Sequence, residues 1–169
     1  MMTELVEFLN MYRAPAQHLV AFLLAGAIWR WGGGPERWLM GTFICTMVLP
    51  IYLLWWLFPV RSLDDPTAQF RLMADVIAAT IFIGVALRAN RNYPLWIAGV
   101  QLVAVGAYMV NAAVPDVSQL ALVILIVGPS YCQLLMLIVG FIRHIRRERR
   151  FGPYRDWRIA PPAIGGLTT

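Results

Sequence analysis

Long apolar runs alternate along this chain with short polar breaks. A helix needs about 20 apolar residues to cross the hydrocarbon core of a bilayer, and five runs approach that length. The first extends from about Ala14 to Trp31 and stops at Gly32-Gly33-Gly34-Pro35. The second runs from Arg37 to Phe58 and the third from Gln69 to Leu87. The fourth, Tyr93 to Val114, is closed by Pro115-Asp116, and the fifth, Gln119 to Ile142, leads directly into basic residues. Short connections make neighbouring helices antiparallel hairpins. The pattern predicts an all-α integral membrane protein, a five-helix transmembrane bundle with short loops. Because the first run has only about 18 residues, the lower limit for spanning, four spans plus a re-entrant or interfacial helix is the alternative.

Ahead of the first run, Leu5, Phe8, Leu9 and Tyr12 recur at helical spacing, with Glu4, Glu7 and Asn10 between them. That spacing predicts a short interfacial helix on the outer surface, with Pro15 opening the first span, where its missing amide hydrogen costs little. Glu4 and Glu7 stand where a signal peptide would carry basic residues, so no cleavable leader is expected. Residues 1–142 are therefore read as a transmembrane bundle with an N-terminal interfacial helix, and 143–169 as a basic cytoplasmic tail.

Composition strengthens the membrane reading. The chain is 60% apolar and only 14% charged, against about 45–50% and about 25% in soluble domains. A single small core has no room for that excess, so lipid must cover it. All 14 basic residues are arginine, and their distribution sets an orientation. Arg30, Arg37, Arg88, Arg91 and seven arginines from Arg143 to Arg158 fall on one side, against Arg13, Arg61 and Arg71 on the other. The basic side is expected in the cytoplasm, which places the N-terminus in the periplasm of a bacterial inner membrane. Trp29, Trp31, Trp38, Tyr93 and Trp96 fall at the inner boundary, and Trp55, Trp56 and Phe58 at the outer one, as aromatic anchors do. Topology explains the arginines, so nucleic acid is not expected as a partner.

Charged residues inside hydrocarbon are candidate functional groups by default. Asp75 is the acidic residue deep within a span, about 10 Å from its outer end at about 1.5 Å per residue. Tyr52, Tyr108, Asn111 and His18 fall at comparable or shallower depth, and with Asp75 and Arg71 they form a candidate polar pocket open to the outside. The competing reading is local: Arg71 lies one turn before Asp75 and can pair with it along one helix face. Gln101 and Gln133, at matching depth on the fourth and fifth runs, are expected to join as an interhelical amide pair. Pro50 and Gly128-Pro129 predict kinks. Gly84, Gly99 and Gly106 are expected to let helices approach closely.

Cys45 and Cys132 lie in apolar runs without metal or redox spacing and are read as packing residues. Two histidines, His18 and His144, offer no bis-histidine haem site within the bilayer. Accordingly no catalytic, cofactor-binding or metal residues are assigned. Shifting the chain by 58 positions places Arg13 on Arg71, Gly26 on Gly84, Arg30 on Arg88, Trp38 on Trp96 and Gly41 on Gly99. Such a match fits either a parallel repeat of two hairpins or the common demand for Arg and Trp wherever a helix leaves a membrane.

The tail interleaves arginine with aromatics. Arg143, Arg146, Arg147, Arg149 and Arg150 continue the fifth helix, Gly152-Pro153 ends it, and Tyr154, Trp157 and Arg158 follow. These residues are candidate contacts with anionic lipid headgroups or with a protein partner. The segment Ala86-Leu-Arg-Ala-Asn-Arg-Asn-Tyr-Pro-Leu-Trp-Ile-Ala-Gly-Val-Gln-Leu102 resembles uncharacterised small polytopic membrane proteins of sphingomonad-type alphaproteobacteria. That resemblance implies a bacterial inner membrane and no activity. Together these features predict a non-catalytic accessory or assembly subunit of a larger inner-membrane complex, energy-converting or transport-related. A homo-oligomer is the other form of assembly. The alternative function is a small transporter or channel subunit built on the Asp75 pocket.

Overall fold

In the computed structural model, which describes residues 2–57, 66–114 and 118–158, the chain is helical almost throughout. Helix α1 (Met2–Trp31) runs without interruption through Pro15. This differs from the expected interfacial helix followed by a separate span. One proline removes a single backbone hydrogen bond, and Pro15 is exposed. Helix α2 (Gly34–Phe43) passes through a π-helical turn (Ile44–Val48) into α3 (Leu49–Leu57) as one continuous run. The π turn answers Pro50, which has no N–H to donate to Thr46. Leu49 N–H instead reaches back to Ile44 O, and the Thr42 and Thr46 hydroxyls donate to Trp38 O and Thr42 O at 2.9 and 2.8 Å.

Helices α4 (Pro66–Arg88), α5 (Tyr93–Ala113) and α6 (Gln119–Phe151) complete the set. Among the described residues, three segments are long and apolar enough to cross a membrane: Gln69–Arg88, Tyr93–Asn111 and Ile124–Phe151. Sequence neighbours α4, α5 and α6 pack side by side. α2 lies against α4 and α6, and α1 closes the bundle against α2 and α6. Ile28, Leu39, Phe43, Phe82, Ile97 and Leu137 meet in the centre, fully buried.

The distribution of residues is inverted relative to a water-soluble bundle. Leu23, Met73, Leu87, Met109 and Leu135 point outward, each more than three-fifths exposed, while Glu36, Arg91, Gln101, Gln133 and His144 are buried. An apolar exterior of this extent is stable only against lipid or protein. Trp29, Trp31, Trp38 and Trp96 stand exposed near the helix ends that also carry the arginines, forming one side of an aromatic belt. Trp55 and Trp56 have side chains outside the described set, as does the whole of Phe58.

Close helix contact does not fall where the glycine pattern placed it. A methyl group added at Gly26, Gly41, Gly84, Gly99 or Gly106 meets no atom within 4 Å, so these glycines are not demanded by packing. The reason is azimuth: helical periodicity alone does not say which of two faces meets a neighbour. Gly140, within α6, is a tight position instead, where a Cβ would come within 2.9 Å of the Tyr93 ring. Both cysteines are free.

Candidate functional site

Two polar constellations occupy the bundle, one at mid-depth and one at the arginine-rich end. At mid-depth, Gln133 on α6 donates to Gln101 Oε1 at 2.6 Å, so the expected amide pair forms. Gln101 on α5 then donates to Asp75 Oδ1 at 2.8 Å and to Asp75 O at 3.1 Å. The Tyr108 hydroxyl lies close to the same carboxylate. The result is a relay across three helices, Gln133 to Gln101 to Asp75, almost fully buried. Each such bond contributes about 0.6–2 kcal/mol in a membrane interior.

The residues grouped by depth separate here. Arg71 is exposed and influences Asp75 through space, with no ion-pair contact between the two. His18 Nδ1 meets Tyr52 OH at 3.0 Å on the far side, between α1 and α3. Gln17 donates to Ser130 Oγ at 3.0 Å, tying α1 to α6. Asn111 is exposed near the end of α5. A common depth places residues on one plane, but the azimuth of each helix decides whether they meet.

At the arginine-rich end the chain builds a closed cap. Glycine-rich residues 32–34 turn α1 into α2, with Pro35 in the first turn and Glu36 behind it, fully buried. Opposite, residues 89–92 turn α4 into α5 and carry Arg91. Arg91 forms an ion pair with Glu36 and a second with Asp156 Oδ1 at 2.5 Å. Its side chain is 7% exposed.

Asp156 belongs to the tail, which folds back over this end after Gly152, whose φ of 77° reverses the chain. The returning strand makes an antiparallel bridge between Ala89 and Trp157. Asn90 N donates to Asp156 O at 3.0 Å, and Arg158 N to Arg88 O at 2.8 Å. The second Asp156 oxygen accepts from Gly34 N at 2.8 Å.

Gly33 and Gly34 are required by this approach. A Cβ at Gly33 would sit 2.6 Å from Asp156 Oδ1, and one at Gly34 would sit 2.9 Å from Trp157 Nε1. Tyr154 lies between the guanidinium groups of Arg91 and Arg147, 5.0 and 4.2 Å from its ring centre. Its hydroxyl meets His144 Nδ1 at 2.9 Å. Burial pushes the Tyr154 phenol above its ordinary value, opposed by the charges of Arg91 and Arg147.

Thus Tyr154 and Trp157, read from sequence as contacts for lipid or partner, are placed against the bundle's own arginine-rich end. Arg143, Arg146, Arg149, Arg150 and Arg158 remain exposed, and exposed Arg147 covers Tyr154. Sequence reasoning used Arg91 only for orientation and passed over Glu36. The available signal was chemical: Glu36 is an acid embedded among arginines, directly after a glycine turn that admits close approach. No protein-family model matches the chain, and no curated protein or solved structure matches it either.

Proposed function

We propose that this protein is a non-catalytic, five-span subunit of the bacterial inner membrane that assembles into a larger membrane complex. Its N-terminus lies outside and its capped, arginine-rich end in the cytoplasm. Support for five spans comes from packing. α1 and the continuous α2–α3 run lie antiparallel within the same bundle as the three candidate spans, and their outward faces are apolar. The arginine asymmetry supports the orientation.

The observation that carries the subunit reading is the cap. Its acids and Tyr154 are consumed in internal contacts, which leaves a rigid end presenting exposed arginines and tryptophans. Arg and Trp are the residue types enriched at interface hot spots. Purification in a mild detergent, with cross-linking beforehand in the native membrane, tests it. A defined co-purifying complex is expected, and a solitary monomer in both preparations would overturn the reading. Nothing in the mid-depth relay favours the transporter alternative: Asp75 is buried and bound by Gln101, as a structural group is.

A further inference from the structure

Between the end of α1, the start of α2 and the last turns of α6 lies a cavity of about 770 Å³. Its floor includes Ala27 and Phe141, and the docked tail supplies a wall through Tyr154 and Asp156. Arg30, Arg37 and Arg149 line it from three different helices.

Of the acids that also line the cavity, Asp156 is held by Arg91 and Gly34 N–H, while Glu148 lies half exposed, 3.7 Å from His144. Arg37 and Arg149 have no anionic partner among the described residues, and Arg30 only stacks on its neighbour Trp31 at 5.6 Å. Arginines from three helices line one opening, with the half-exposed Glu148 among them, at the end of the bundle that carries the exposed tryptophans. Guanidinium forks match phosphate oxygens in geometry and charge, and basic pockets between membrane helices on the cytoplasmic side take lipid headgroups.

We infer that this cavity binds a phosphate-bearing anion, either an anionic phospholipid headgroup or a free phosphate. The Arg91 clasp makes the site, because the tail it holds is one of the cavity's walls. The lipid arm rests on the membrane placement proposed above, whereas the phosphate arm does not.

The test uses the full chain in mild detergent. Binding is followed by native mass spectrometry and thermal shift against phosphatidylglycerol, phosphatidylcholine and inorganic phosphate. Arg37→Gln combined with Arg149→Gln is compared with Arg143→Gln combined with Arg146→Gln, which removes the same charge outside the cavity. All four residues are exposed, so both variants should melt like the parent without ligand.

The cavity pair should weaken binding of phosphatidylglycerol, of phosphate or of both by about tenfold or more, the loss of one charged contact. The control pair should lose far less. Preference for phosphatidylglycerol over both other probes identifies a lipid headgroup, and equal protection by phosphate identifies a soluble anion. Equal losses in the two variants would overturn the site, as would the absence of any preference for phosphatidylglycerol or phosphate over phosphatidylcholine. A protein that inserts in membranes but binds neither anion refutes this site and leaves the subunit reading standing.

Discussion

Arg91 holds two carboxylates from distant parts of the chain in a buried setting, so its contribution is asymmetric. Removing the arginine strands two carboxylates without their counter-charge and costs about 3–5 kcal/mol, whereas removing Glu36 still leaves Arg91 paired with Asp156. Arg91→Ala should therefore lower stability by that order in detergent unfolding, whereas Glu36→Gln, still able to accept a hydrogen bond, should cost less. At mid-depth the expectation differs. Asp75→Asn keeps an acceptor for Gln101 and should fold with little loss. Asp75→Leu removes one of the two acceptors of the buried Gln101 amide and should cost about 1–3 kcal/mol. An Asp75→Asn variant as unstable as Asp75→Leu would show that the carboxylate's charge, and not its hydrogen bonding, matters. Asp75 was legible as a buried acid from its run. Its partner was not, because Arg71 is near in sequence while Gln101 is near only after α4 and α5 pack.

The tail is the element whose behaviour the structure changes most. Gly152 ends α6 as its position after a basic helix suggested, but the residues beyond it return to the bundle. Gly33→Ala should release them, since the added methyl occupies the place of the Asp156 carboxylate. Trypsin should then cut at Arg155 and Arg158 faster, about tenfold for each 1.4 kcal/mol of docking lost. Alkali should act on the same contact. Docking favours the neutral phenol of Tyr154, so its stabilisation is full below the unfolded value of about 10 and lost as pH rises through the docked value. Above that range the thermal midpoint should fall further in the parent than in Tyr154→Phe. An equal fall in both would assign the alkaline loss to other groups. Neither contact is visible in the tail's composition, which reads equally as a solvated basic stretch.

For the molecule as a whole, the arginine split predicts opposite exposure of the two ends. With Cys45 and Cys132 replaced, Arg13→Cys should react with an impermeant maleimide in intact cells, and Arg150→Cys only after permeabilisation. Labelling of both from the same side would refute the odd number of spans. The sequence by itself determined the helical class, the approximate boundaries of the later helices and the lipid-facing character, because hydropathy and helix length act locally and need no partner. It also marked Gln101 and Gln133 for one another by equal depth, and they meet because α5 and α6 turn those two side chains toward each other. Only the tertiary structure decided which way each helix turns. That rotation separated His18 and Tyr52 from Asp75, pointed the repeat glycines outward and brought Glu36, Arg91 and Asp156 to one point. Three charges separated by 55 and 65 residues share a site because packing closes the loops between them, and hydropathy carries no record of that closure.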